Sequence, residues 1–409
     1  MENQEKFWLF IKPYIYVSKE NSGRILLYNT QIGEFIETNC QVAIETVNRL
    51  HERQNLGTIL LEQEIVNSEI GVFINDAKQK DIFGTMPYSE NSGRPIQLMP
   101  VLNIQKDIEK LRKNDDRSIG ENTLHYLTEL ALYVNGNCAL QCQYCREAYK
   151  QVNYCTKYDS DVSMDLLTLQ SIASQIQYAP IGKLNIIGGN IFNYSLLKNV
   201  VEIFNAKKEA IHCWSHYRNF QPNDLDVSFD ILVDFPVDET LFKLCLNNAP
   251  QDKTTYHFLV KSTENAITAD TITEKYNLSN AEIHPFYTGK NTDFFENHIF
   301  LNKEDVLSET VNQRKIFCNQ ALNSHNFGKL IIFPNGDVFA NINAPKLGNI
   351  KDNSLLELLY RELDENTAWR KTRTEQPCND CLYQYLCPPP SNYEFAIGKH
   401  NLCTVKANL

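Results

Sequence analysis

The chain has 409 residues, of which 43% are hydrophobic, and carries a formal net charge of -11. A chain of this length can bury a large core and is expected to divide into two or three domains. The acidic balance counts against a nucleic-acid partner, because phosphate binding needs clustered Lys and Arg. The sequence has no run of about 18 apolar residues and no signal-peptide pattern, so we expect a cytoplasmic protein without a membrane partner.

Residues 1–85 are predicted to form a small winged-helix-like module, with three short strands and then helices. Apolar runs on either side of the turn Glu20-Asn-Ser-Gly23 indicate a hairpin, and Gly33 to Glu37 indicates a third strand. Apolar residues recur at helical spacing from Cys40 to Arg53 and from Ile70 to Lys80. Residues 86–125 are predicted to be a connector that contains a charged helical stretch from Ile104 to Lys113.

Residues 126–300 alternate between strand and helix signals, which predicts an α/β domain with a parallel sheet, here a partial barrel. Amphipathic helices are expected at Ser163 to Ile176, with Ser163 as the N-cap, and at Tyr194 to Phe204. The predicted strands are Leu127 to Val134, Lys183 to Ile187, Ala210 to Trp214, Val227 to Val233, Tyr256 to Val260 and Ala281 to Tyr287.

Three cysteines follow the first of these strands with the spacing Cys138-x3-Cys142-x2-Cys145. Four thiolates close a [4Fe-4S] cluster, so a loop with three leaves one iron open to a small molecule. A zinc site instead uses Cys-x2-Cys pairs and four ligands, which makes zinc the weaker interpretation. The loop lies where functional groups belong on such sheets, at the carboxyl end of a strand.

A second cysteine array lies in residues 301–409 and consists of Cys378, Cys381, Cys387 and Cys403. Its four thiolates are enough to close a metal site, and their spacing alone fits a zinc ribbon and a [4Fe-4S] cluster equally well. Twelve cysteines in a reducing compartment favour metal binding over disulfides. The isolated cysteines are expected to be buried thiols; they are Cys40, Cys155, Cys213 and Cys245.

The three-cysteine loop, with the aromatic Tyr144 before its last Cys, resembles that of the radical SAM superfamily. The resemblance implies a partial (β/α)6 barrel in which S-adenosylmethionine (SAM) binds the open iron. Reductive cleavage of SAM would then give a 5'-deoxyadenosyl radical that removes a substrate hydrogen. An electron donor such as a flavodoxin or ferredoxin is also implied.

The same family has a Gly-Gly-Glu motif after the second strand, near the methionine end of SAM. This chain has Gly188, Gly189 and Asn190 at that place. The glycines fit, because a Cβ would prevent close approach of the backbone to a ligand. Asn190 departs from the motif. Its amide can still accept a hydrogen bond from SAM but lacks the charge, which would weaken binding by about 1 kcal/mol.

The second array resembles the SPASM extension of peptide-modifying radical SAM enzymes. Cys318 matches the first family position, but Asn341 and Ser391 stand where two other cysteines belong. In the family, those two positions serve the same auxiliary cluster as Cys318. The resemblance therefore implies one auxiliary [4Fe-4S] cluster, held by the four cysteines of the second array, and leaves Cys318 as an orphan thiol.

Two further segments, His284 to Phe295 and Pro388 to Glu394, resemble the (pseudo-)radical SAM/SPASM subgroup of ribosomal-peptide maturation systems. This implies that the N-terminal module binds the leader of a precursor peptide as an added strand beside Ile32 to Thr38. The maturase would then form a crosslink or thioether in the peptide, or epimerise it. Two alternatives remain: a pseudoenzyme that presents a peptide to a partner enzyme, and a zinc-ribbon interaction protein. The sequence identifies no general acid or base, although His216, His257 and His284 are candidates for substrate contact.

Overall fold

The computed structural model describes residues 6–62, 68–89, 93–98, 123–140, 142, 151, 162–399 and 401–405. Several predicted features lie outside these ranges: the helical stretch from Ile104 to Lys113, the loop residues Tyr144 and Cys145, and Cys155. Within the described ranges, no helix has the length and apolar character needed to cross a membrane.

The N-terminal part of the chain forms two antiparallel three-stranded sheets and two helices. Its elements are β1 (Lys6–Ile11), β2 (Ile15–Lys19), β3 (Ile25–Asn29), β4 (Phe35–Thr38), α1 (Gln41–His51), β5 (Thr58–Glu62), α2 (Glu69–Gln79) and β6 (Phe83–Pro87). One sheet has the order β5-β1-β6 and the other the order β2-β3-β4. The predicted hairpin, third strand and two helices are confirmed, whereas the sequence patterns do not predict β1, β5 or β6.

The central feature is a nine-stranded sheet. Its strands are β7 (Glu129–Asn135), β8 (Lys183–Gly188), β9 (Ile211–His216), β10 (Ser228–Val233), β11 (Thr254–Val260), β12 (Ala281–Pro285), β13 (Lys329–Ile332), β14 (Asp337–Phe339) and β15 (Gly348–Asn349). They lie in the order β12-β11-β10-β9-β8-β7-β13-β14-β15. The six predicted strands are confirmed and pair in parallel with their chain neighbours.

Successive residues of these strands face opposite sides of the sheet. Leu130, Ile186 and Ile231 belong to a large outer core that includes residues of the helices. Ala131, Ile187 and Leu232, each one position further along, belong to a smaller inner core. Residues of β12 and of β13 line one cavity, although five strands separate them in the sheet order. The sheet therefore curves around this cavity as an open barrel.

The helices that pack on the sheet begin with α3 (Leu166–Gln175), whose N-cap differs from the prediction. Asp165 caps this helix, because its carboxylate accepts a hydrogen bond from the backbone N–H of Thr168 at 2.8 Å. Ser163 is not the cap, since it forms a β-bridge with Asn135. The further helices are α4 (Leu197–Ile203), α5 (Glu239–Asn248), α6 (Thr263–Lys275), α7 (Thr292–His298), α8 (Lys303–Leu307), α9 (Gln313–Ala321), α10 (Leu355–Glu365) and α11 (Asn392–Ile397).

The C-terminal cysteine-rich region packs against the N-terminal sheet that contains β3. The hydroxyl of Tyr28 on β3 accepts a hydrogen bond from the backbone N–H of Val311 at 2.9 Å. Leu26, Tyr28 and Leu386 belong to one buried cluster, with Cys381 and Cys387 packed at its margin. The second cysteine array is thus connected to the N-terminal sheet through a shared core.

Candidate functional site

Two of the three predicted loop cysteines, Cys138 and Cys142, lie in the described part of the chain after the carboxyl end of β7. The side-chain amide of Asn219, which follows β9, donates a hydrogen bond to the sulfur of Cys138 at 3.3 Å. Asn219 is buried, so this amide is held in place. Hydrogen bonds of this kind to the sulfurs of a metal cluster are one means by which a protein adjusts its reduction potential.

Cys142 lies beside His216 and Asp234, and the donor atoms of these three side chains are within 4.8 Å of one another. His216 Nε2 and Asp234 Oδ1 are 3.0 Å apart. Burial would raise the pKa of Asp234, but the hydrogen bond from His216 and the charges of His216 and Arg218 lower it. The mouth of the barrel therefore joins a thiol to a buried His–carboxylate pair.

The predicted cofactor-binding glycines lie at the end of β8, where they pack against the cysteine loop. A Cβ on Gly189 would overlap the backbone of Gly136 and Asn137, and one on Gly188 would overlap Asn135. The backbone N–H of Gly189 also donates to the side-chain oxygen of Asn135 at 3.1 Å. Glycine is thus required here for close contact with the loop that carries Cys138.

Asn190 continues this contact. Its backbone N–H donates to the carbonyl of Asn137 at 2.7 Å, and its own carbonyl accepts from the side chain of Asn135 at 2.9 Å. The side-chain oxygen of Asn190 accepts from the backbone N–H of Phe192 at 3.0 Å and caps a short 3-10 helix. The group expected to face SAM therefore already has a structural partner.

Two cysteines of the second array, Cys378 and Cys387, lie near a buried guanidinium, that of Arg373. Arg373 Nη1 lies 3.9 Å from the sulfur of Cys378 and forms an ion pair with Glu394. Burial opposes the charge of Arg373, yet Cys387, Glu394 and Cys378 together raise its pKa. Burial also raises the pKa of the Cys387 thiol to about 12, while Arg373 lowers it. A buried cation beside these sulfurs is suited to offset the charge of bound thiolates.

The sulfur atoms of this array are spread more widely than a zinc ion requires. Zn–S bonds of about 2.3 Å in a tetrahedron place the sulfurs about 3.8 Å apart. Among the described residues, the groups of three or more metal-binding side chains with donor atoms within 4.8 Å of one another include none of these four cysteines. The amide of Asn401 donates to the sulfur of Cys403 at 3.6 Å.

A cavity of about 500 Å³ lies on the concave side of the sheet. Two of the three predicted histidines, His257 and His284, line it, and Trp214 stacks on His257 with ring centroids 4.6 Å apart. His216, the third predicted histidine, lies instead at the mouth beside Cys142. The cavity is also lined by charged residues from the first positions of three strands, Glu129, Lys183 and Lys329.

Asp230, on the inner face of β10, holds two histidines from the neighbouring strands. Its carboxylate accepts from His212 Nδ1 and from His257 Nε2, each at 2.7 Å. Burial would raise the pKa of Asp230, but the two hydrogen bonds and the nearby charge of Lys183 lower it. Burial, together with the charge of His257, lowers the pKa of His284 to about 4, so its imidazole is neutral at pH 7.

The sequence patterns identify neither Asn219 nor Asp234 as site residues. Asp234 follows β10 directly and Asn219 lies three residues beyond β9, so the rule that functional groups lie at carboxyl strand ends would have found both. Among the isolated cysteines, Cys213 and Cys245 are buried as expected. Cys40 is only partly buried, because it precedes the first turn of α1 at the surface.

No protein-family model and no curated protein matches the chain. A crystal structure of Streptococcus suis SuiB bound to S-adenosylmethionine is similar over 97% of this chain and 100% of that chain, with 13% identity and a TM-score of 0.43. Histidine-tagged anSMEcpe with bound AdoMet is similar over 64% and 84%, respectively, with 14% identity and a TM-score of 0.43. Native anSMEcpe with bound AdoMet and Cp18Cys peptide is similar over 66% and 97%, with 15% identity and a TM-score of 0.42. These values are too low to assign a function.

Proposed function

We propose that the chain is a radical SAM enzyme that modifies a ribosomally made precursor peptide. The observation that carries the proposal is the position of Cys138 and Cys142, at the carboxyl end of the first strand of an open parallel barrel. With Cys145, they supply the three thiolates that a SAM-binding [4Fe-4S] cluster needs. Such a cluster supplies the electron that cleaves SAM reductively.

The residues around these cysteines have the character that this chemistry needs. Asn219 donates to one thiol, and the side chain of Arg218 lies near Cys142. Cys142 also packs against the apolar inner core, which limits access of water to the thiol. The cavity on the concave side of the sheet is lined by Tyr133 of β7 and Trp214 of β9. A substrate there would lie between the strands that precede the cysteine loop and Asn219.

We further propose that the second array holds one auxiliary [4Fe-4S] cluster. Its sulfur atoms are spaced too widely for a zinc ion, and the charge of Arg373 would offset that of the bound thiolates. Four protein thiolates leave no open iron, so this cluster would transfer electrons or support the fold. Iron and sulfide analysis of Cys378→Ala tests this assignment, because a loss of zinc instead would contradict it.

The edge of β4 that faces away from β3 is the proposed site of the leader peptide. β4 pairs only with β3 among the described strands, and the bond from Asn29 N–H to the carbonyl of Glu34 fixes which groups face β3. Since these groups alternate along a strand, the backbone of Phe35 and Glu37 faces outward. An extended peptide can pair with such an edge.

One observation favours the alternative, a peptide-binding protein that does not cleave SAM. The backbone of the cysteine loop packs against Gly189 and forms hydrogen bonds with Asn190. The side-chain oxygen of Asn190 caps a 3-10 helix. The contacts expected for the methionine end of SAM are thus made within the protein. The electron-transfer role of the clusters would then be lost, and the N-terminal module would present a peptide to a partner enzyme.

The two proposals differ in whether 5'-deoxyadenosine is formed. Anaerobically reconstituted protein is reduced with dithionite in the presence of SAM, with and without a candidate peptide, and the product is quantified by mass spectrometry. The enzyme is expected to form 5'-deoxyadenosine, and Cys142→Ala is expected to form none. Cys318→Ala is the matched control and should retain the activity. Fully cluster-loaded protein that yields no product would support the peptide-binding alternative.

A further inference from the structure

Three metal-binding side chains meet on the inner face of the barrel, away from both cysteine arrays. His257 lies on β11, and Glu282 and His284 lie two residues apart on β12, so all three face the concave side. The distance from His257 Nδ1 to His284 Nε2 is 2.9 Å. Glu282 Oε2 lies 3.4 Å from His257 Nδ1 and 3.3 Å from His284 Nε2.

These three distances match those between ligands of one metal ion. Bonds of about 2.0 to 2.2 Å, at angles between octahedral and tetrahedral, place ligand atoms about 2.8 to 3.6 Å apart. The donor atoms of His257, Glu282 and His284 are 2.9 to 3.4 Å apart. A single ion therefore fits among them with only small adjustments of the side chains.

The surroundings of His257 also have the form found at metal sites. Metal-bound histidines usually donate the other ring N–H to a carboxylate, which fixes the tautomer. His257 Nε2 is 2.7 Å from Asp230 Oδ1, and the second oxygen of Asp230 is held by His212 at 2.7 Å. With its proton on Nε2, His257 directs the lone pair of Nδ1 toward Glu282 and His284. Trp214 stacks on the ring and restricts its rotation.

The site is accessible to an ion from one side. The His257 side chain is 4% exposed, that of His284 is 25% exposed and that of Glu282 is 58% exposed. All three line the cavity of about 500 Å³. A metal held by them would have protein on one side and open coordination positions toward the cavity.

We propose that His257 Nδ1, His284 Nε2 and a carboxylate oxygen of Glu282 bind a single divalent metal ion of the zinc class. Two imidazoles and one carboxylate suit borderline ions, and three protein ligands leave a position for water or a substrate oxygen. The donor set of nitrogen and oxygen separates this site chemically from the thiolate arrays. The site does not depend on the proposed SAM chemistry.

Cobalt(II) titration of the full-length protein tests the site, after both cysteine arrays have been loaded with iron and sulfide. The wild-type protein is expected to bind one further Co²⁺ per chain, with ligand-field bands but without sulfur-to-cobalt charge-transfer bands. Zn²⁺ should displace this signal. Glu282→Ala and His284→Ala are expected to weaken Co²⁺ binding at least 100-fold. Asp230→Asn replaces the carboxylate that holds His257 and His212 but removes no proposed ligand, and it should weaken Co²⁺ binding about 10- to 100-fold.

His325→Ala is the matched control, because His325 lines the same cavity but is not one of the three ligands. It should bind Co²⁺ as the wild-type protein does. The exposure of Glu282 allows its replacement without disturbing the core, and thermal unfolding of each variant checks this. Equal Co²⁺ affinity in Glu282→Ala and wild type would overturn the proposal. So would Co²⁺ uptake with charge-transfer bands only, and the three side chains would then form a hydrogen-bonded network alone.

Discussion

Asn219 places a side-chain amide beside the proposed SAM-binding cluster. Its N–H donates to the sulfur of Cys138 at 3.3 Å. Hydrogen bonds to the sulfurs of a cluster stabilise its more negative, reduced form and so raise the reduction potential. Asn219→Ala is therefore expected to lower the potential of the SAM-binding cluster. A bond worth about 1 kcal/mol corresponds to about 40 mV for one electron.

A redox titration followed by electron paramagnetic resonance measures this change. Asn223→Ala is the control, because the Asn223 amide donates to the carbonyl of Gln221 and is exposed. An unchanged potential in Asn219→Ala would show that the amide does not interact with a ligand of the cluster.

At the level of single residues, the sequence identifies side chains whose function depends on spacing within one segment. Cys138 and Cys142 were recognisable because four positions separate them on one loop. Asn219 contacts Cys138 from 81 positions away, and Asp234, which follows β10, contacts His216 on β9. Such contacts arise from strand order, which spacing does not specify. Glu282 and His284 are an exception, since their two-residue separation on a predicted strand already places them on one face.

The first turn of α3 depends on the carboxylate of Asp165. This carboxylate accepts from the backbone N–H of Thr168 at 2.8 Å and from its hydroxyl at 3.0 Å. Asp165→Ala is expected to lower the free energy of unfolding by about 1 kcal/mol, the usual contribution of an N-cap. Urea denaturation followed by circular dichroism measures the loss.

The same cap gives a pH dependence with a defined sign. The hydrogen bonds from Thr168, opposed by slight burial, lower the pKa of Asp165 below its usual value of 3.8. A depressed pKa means that the stabilising contribution is complete above pH 3.8 and is lost as the pH falls below it. Ser163→Ala is the control and should change stability little, since Ser163 is exposed and bridges Asn135 through its backbone. If Ser163→Ala lowered the free energy of unfolding more than Asp165→Ala does, Ser163 and not Asp165 would be the N-cap of α3.

The ion pair between Arg373 and Glu394 connects α11 to the second cysteine array. The two side chains are only 5% and 3% exposed, and Arg373 also donates to the carbonyl of Pro388 at 2.8 Å. Removing one partner of a buried pair leaves an uncompensated charge and costs about 3 to 5 kcal/mol. Arg373→Met is therefore expected to destabilise the protein by this amount in denaturant titration.

Lys198→Met provides the matched comparison, because Lys198 pairs with Asp224 at the surface, where the side chains are 68% and 73% exposed. Exposed pairs contribute about 0 to 1 kcal/mol. Equal losses in the two variants would mean that burial does not govern the Arg373 pair.

Strands and helices could be predicted where the sequence pattern lies within one segment of the chain. The segments that form β7, β8, β10 and β11 each contain a short, mostly apolar and buried run, which is typical of strands covered on both faces. β13 was not predicted, although it adds to the same sheet by pairing with β7, since 200 positions separate Lys329 from Glu129. β1 likewise pairs with β5 and β6 and has no hairpin turn to mark it. Pairing between distant segments leaves no periodic pattern in the sequence.

On the scale of the whole molecule, the proposed peptide edge and the second cysteine array are joined. The carboxylate of Glu37 on β4 accepts a hydrogen bond from Tyr383, which lies between Cys381 and Cys387, and pairs with Lys303 at 2.6 Å. A peptide on β4 would therefore lie close to residues that also position the array. The side chain of Lys80 donates to the outward carbonyl of Phe35 at 2.9 Å, so an added strand must replace this bond.

Strand addition at β4 can be separated from the side-chain contacts of Glu37 by two substitutions at that residue. Glu37→Pro removes an outward backbone N–H, and proline is tolerated on edge strands where the N–H faces solvent. Glu37→Ala removes the bonds to Tyr383 and Lys303 but keeps this N–H. Because added strands bind through main-chain bonds, a fluorescent leader peptide should bind Glu37→Pro at least tenfold more weakly than Glu37→Ala. Equal anisotropy titrations for the two variants would place the peptide elsewhere.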